Sequence, residues 1–228
     1  MIGVRPEIGK LAELVFDPEE LSYVEVVAEA MRFPRKGRRQ AVALLREIMP
    51  QRPKRPLSYA RYSLGRGPME ARYTVERMGR YLGKLVKELR FEFEGKYPEG
   101  SSFRVDISRL LKNKGNMNSD LEQLLKKIRF LDKVAYVPSK HKDRPPDVPQ
   151  HYFSVSDGAI VVLAAVKLGE ELKKRSKYVR NLCQDLVDVG QRPIIGSHPR
   201  TDDYGELFDF KEKLKAEVLA LEEALRAG

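Results

Sequence analysis

Apolar residues spaced by three and four recur along most of the chain and predict a succession of amphipathic helices. Asp17-Pro18-Glu19-Glu20 has the make-up of a helix start: Asp17 as cap, Pro18 at the first helical position, Glu20 where a capping box needs it. Leu21, Val24, Ala28 and Met31 follow on one face until Pro34 stops the run. A second helix is expected over 37–49, with Ala41, Leu44, Leu45 and Ile48 on its apolar side. Helices are expected again over 69–89, near 106–112, and from Ser119 to Leu131 with Glu122 as partner of a Ser119 cap. Three more are expected over 155–174 behind a Ser154–Asp157 cap, over 177–189, and over 206–226. The last carries Leu207, Phe210, Leu214, Val218, Leu221 and Leu225 in one stripe, suited to a homodimer seam or to packing on its own domain.

Elsewhere the period shortens to two. RFEFEG and SSFRVDI alternate around KYPEG, and DKVAYVP and QHYFSV flank the basic, proline-rich SKHKDRPPDVP, so each pair predicts a hairpin. The expected fold class is therefore mainly α with small β-hairpins. Residues 103–154 read helix, glycine-containing turn, helix, strand, basic loop, strand, the order of a winged helix-turn-helix with its wing at 132–154. The expected organisation is a helical N-terminal region (1–50), a linker or arm rich in Pro, Gly and Arg (51–68), and a winged-helix-like domain ending in a long C-terminal helix (69–228).

The order of the helix pair, VPSK, the HYFSVSD entry into further helices and the terminal helix resembles the DNA-binding part of MerR-type regulators. That resemblance implies a groove-reading helix, a wing on the flanking backbone and dimerisation through the last helix. The tyrosine-rich recognition helix and glycine-rich wing of that family are missing. Helix 70–89 with RFEFEG reads equally well as the end of a first winged helix, an arrangement that resembles plasmid replication initiators.

Charge sharpens the functional reading. The net charge is +10, yet residues 1–33 and 193–228 are acidic on balance, while 34–66 hold ten basic side chains against one acidic. Such a cluster repels itself unless a polyanion or solvent offsets it, and nucleic-acid phosphates are the commonest polyanion to do so. The candidate contacts are Arg35, Lys36, Arg38 and Arg39 around the second helix, then Arg52, Lys54, Arg55, Tyr59, Arg61 and Tyr62 in the arm. Gln123, Lys126, Lys127 and Arg129 would lie on or beside the recognition helix, and Lys140, Lys142 and Arg144 at the wing tip. These cations are expected to form one continuous surface. The expected function is sequence-selective binding of double-stranded DNA as a transcription regulator. Replication-initiator-like binding, RNA binding and an adaptor for an acidic protein are the alternatives.

No catalytic constellation emerges, and neither a metal nor a cofactor is expected. His141, His151, His198 and Cys183 have no metal-ligand spacing. GRYLGK (79–84) is too short for a phosphate loop, so Gly79 and Gly83 are expected to permit close helix packing. Glu94-Gly-Lys96 imitates half of a nuclease site but lacks an upstream Asp. A single cysteine and the absence of a long apolar run point to a cytoplasmic protein without a membrane span.

Overall fold

In the computed structural model, residues 3–33, 35–49, 60, 63, 66–96, 98, 100–113, 117–140, 153–176, 207 and 209–227 are described. They form α1 (Pro6–Val15), α2 (Pro18–Arg32), α3 (Lys36–Ile48), α4 (Pro68–Glu94), α5 (Phe103–Lys112), α6 (Ser119–Leu131), a π-helical turn (Asp132–Tyr136), α7 (Val137–Lys140), α8 (Val155–Arg175) and α9 (Phe210–Arg226). The bundle is organised around α8. A helix buried on every side must be apolar all round, and every residue from Ser156 to Val166 is buried. Its start is closed by a reciprocal capping box: the Ser154 hydroxyl accepts from the Asp157 N–H, and the Asp157 carboxylate accepts from the Ser154 N–H. Helices α1, α2, α3, α4 and α6 all pack against it. The Ser156 hydroxyl also donates to the Ala28 carbonyl at 2.7 Å, fastening α8 to α2.

The Asp17–Glu20 capping box forms as the pattern requires, and α2 ends just before Pro34. Helix α6 is capped one residue earlier than the pattern implies: the Asn118 side chain accepts from the Leu121 N–H, and Ser119 is the first helical residue. Helix α9 lies across α2 and α3, with Phe210 stacked on Phe16 at a centroid distance of 6.0 Å. Phe210, Leu214, Val218 and Leu221 are buried there, so most of the stripe faces its own chain, while Leu207 is exposed. Among the described residues no helix is long and apolar enough to cross a membrane.

The expected hairpins, and with them the winged helix-turn-helix, are not what forms: among the described residues there is no strand. RFEFEG is the last turn of α4, where Arg90 bonds Glu94 one turn on, at 2.7 Å, and Gly95 ends the helix in the left-handed region at φ 64°. The SSFRVDI segment starts α5, capped by Ser102, with Phe103, Ile107 and Leu110 buried at helical spacing. DKVAYVP is the π turn and α7. Val134, Ala135 and Tyr136 are buried in succession, which a half-exposed strand does not allow. Within QHYFSV, Phe153 and Ser154 are irregular and Val155 opens α8, while the remainder lies outside the described residues. The MerR-like layout thus loses its wing. The expected helix at 177–189 and nearly all of the 51–68 arm also lie outside the described residues.

Candidate nucleic-acid interface

Residues 119–140 form one continuous helical rod whose register changes at Asp132, where the Val137 N–H reaches the Asp132 carbonyl five residues back. Leu121, Leu124, Leu125, Ile128 and Leu131 bury one side of the rod against the core. On another side Lys126, Arg129 and Lys133 follow at intervals of three and four, and they share a hollow with Arg104 from the first turn of α5. Phe130, Asp132 and Val137 complete the lining. Four cations from three elements therefore converge on one concavity.

Only Lys126 spends its charge locally, in an exposed i,i+4 pair with Glu122 at 3.0 Å. Arg104, Arg129 and Lys133 make no carboxylate ion pair among the described residues. The one carboxylate lining the hollow is Asp132, which is 3% exposed. Burial pushes its carboxyl above the usual aspartate range, against the opposing pull of Lys140, Arg104 and Arg129.

The rod is held in place from behind. Tyr136 closes onto α4 at Gly79, where any Cβ would collide with its ring. Arg72 of α4 donates from Nε to the Ser139 carbonyl at 2.7 Å, fixing α7. Lys140 lies with Nζ 3.7 Å from the Tyr136 ring centroid, a cation–π contact at the end of the same rod.

The other expected contacts fall elsewhere. Gln123 and Lys127 turn away from the hollow and line a second one with Leu14, Phe16 and Asp17 near the α1–α2 turn and Lys167, Glu171 and Arg175 of α8. There Lys167 is paired with Glu20 and Arg175 with Glu171, so little cationic field is left over. Gln123 and Lys127 therefore line a different hollow from Lys126 and Arg129. Arg35, Lys36, Arg39 and Gln40 line a third hollow at the start of α3. Arg38 is half-buried and donates from Nε to the Met31 carbonyl at 3.0 Å, which assigns it to the α2–α3 turn. Arg52, Lys54, Arg55, Tyr59, Arg61, Tyr62, Lys142 and Arg144 lie outside the described residues.

Sequence reasoning missed Arg104, Lys133 and Asp132. Lys133 continues the Lys126–Arg129 spacing and was legible once the rod was read as helix. Arg104 comes from another element and has no local signal. No acidic residue of the N-terminal segment lines this hollow, and Asp17 and Glu19 are engaged by Lys211 of α9 at 3.3 and 2.6 Å. No protein-family model matches this chain, and no match is found among curated proteins or solved structures.

Proposed function

We propose that the protein binds nucleic acid, as double-stranded DNA, by laying the phosphate backbone against Arg104, Lys126, Arg129, Lys133 and Lys140. The supporting observation is the convergence of the first four of these on one hollow, three of them without a carboxylate ion pair among the described residues. Each phosphate neutralised releases condensed counterions, which is the source of the affinity. A duplex suits the lining better than a single strand. Single-strand sites stack bases on exposed aromatic rings, and the hollow's one ring, Phe130, is partly packed into the core. Phosphate contacts position a protein on DNA and carry no sequence information. The selectivity that a transcription regulator needs would therefore come from other residues.

The test is the salt dependence of duplex binding. Reversing Arg104 and Arg129 together to Glu is expected to weaken binding at least tenfold at about 0.1 M salt. The same change should lower the slope of log affinity against log salt by roughly 0.9 for each phosphate that is no longer neutralised. An unchanged affinity and slope overturns the proposal. Binding of polyglutamate in place of DNA would instead favour an acidic protein partner.

A further inference from the structure

Resting on that reading of the hollow, we infer that Asp132 couples phosphate binding to the uptake of one proton: a phosphate settles among the cations as the Asp132 carboxyl loses its charge. The geometry carries this. Asp132 lines the same concavity as Arg104, Lys126, Arg129 and Lys133, is almost wholly shielded from water, and forms no salt bridge with any of them among the described residues. A buried carboxylate in that position has two stable options. It stays ionised while the surrounding cations are free, or it takes a proton when another anion claims them.

The charges that act on the carboxyl are all positive: Arg129 from α6, Lys140 from α7 and Arg104 from α5. Helices α1 and α4 also pack against the π turn, and neither presents a charge to Asp132 among the described residues. Burial raises the carboxyl above its ordinary range, and the three cations pull it the other way, towards the ionised form. A phosphate that engages them removes that support and adds a like charge beside the carboxylate. Both effects favour the neutral acid. The proton comes from solvent, and the neutral carboxyl retains an O–H able to donate to a phosphate oxygen.

Asp132 is the first residue of the π turn. Such turns are rare, are less regular than an α-helix, and occur often at functional sites. Here the turn sits between the cations of α6 and the Lys140 of α7.

The experiment measures duplex DNA affinity of the unaltered chain and of Asp132→Asn at low salt, from about pH 8 to about pH 5. The expected result is roughly tenfold tighter binding by the Asn variant at the upper end, with the two curves converging as pH falls. Histidine side chains, of which the chain has three, ordinarily titrate in this range, so the difference between the two proteins is the quantity that reports Asp132. Calorimetry in two buffers of different ionisation enthalpy should show more proton uptake on binding by the unaltered chain than by the variant. Asp132→Ser, which also removes the charge, replaces the Asn variant if that one fails to fold. Equal affinities and equal proton uptake, with DNA still bound in a salt-dependent way, overturn the role of Asp132 and leave DNA binding standing. Failure of both proteins to bind duplex at low salt overturns the DNA reading and this inference with it.

Discussion

At Gly79 there is room for a hydrogen and nothing larger, because a Cβ built there would lie 2.2 Å from Cδ2 of Tyr136. The same type of residue at Gly9, within α1, meets no atom within 4 Å. These two positions predict opposite signs for one substitution. Gly79→Ala must push Tyr136 and the π turn off α4, and overpacking of this kind costs about 1–3 kcal/mol. Gly9→Ala removes backbone freedom from the unfolded chain at an unstrained helical site, and is expected to stabilise by about 0.5–1 kcal/mol. Urea denaturation midpoints of the two variants give both numbers. A Gly79→Ala protein as stable as the original would mean that Tyr136 is not held as described. The close-packing role was legible in GRYLGK, because a glycine mid-helix calls for a neighbour that needs the space. Which ring fills that space was not legible, since Tyr136 is far away along the chain.

Elements were legible where a cap, a period and a stop agreed, as in Asp17–Glu20 with Pro34 or Ser154–Asp157 before an apolar run. They were misread where the only signal was alternation over a few residues. RFEFEG alternates in a helix as readily as in a strand, and the i,i+4 pair of Arg90 and Glu94 is a helical signal on the same residues. Arg90 also bonds the fully buried Asp106 at 2.7 Å, tying α4 to α5, a tertiary contact that no local pattern encodes. The candidate site follows the same rule. Lys126 and Arg129 are neighbours on either reading, but a wing in place of a rod hides their continuation to Lys133. The capping box of α8 does more than start one helix: Asp157 also accepts from the backbone N–H of Arg5, the N-cap of α1, at 3.0 Å. Asp157→Ala therefore removes acceptors at the starts of two helices, both of which pack in the core. The expected loss is about 2–3 kcal/mol. Asp157→Asn keeps one acceptor oxygen and should lose less. Equal losses for the two variants, measured by thermal and chemical denaturation, would assign the effect to something other than capping.

For the molecule as a whole, the position of α9 decides how the chain can assemble. A terminal helix with a three-four stripe can serve as a dimer seam only if that stripe is free. Here Leu214 is fully buried and Val218 and Leu221 nearly so, against α2 and α3, and Lys211 is clasped by Asp17 and Glu19 at the start of α2. The helix closes the bundle over the α2–α3 pair, so the same face cannot serve a second chain without leaving the first. Two outcomes separate the alternatives for Leu214→Arg. If the stripe belongs to the chain's own core, the buried charge has no partner, and folding stability falls by about 3 kcal/mol or more, with the loss independent of protein concentration. If the stripe is instead a seam between two copies, the variant stays folded and only its association weakens, and the melting temperature of the original protein rises with concentration. Sedimentation and melting curves across a hundredfold range of concentration distinguish the two. The buried stripe predicts the first outcome.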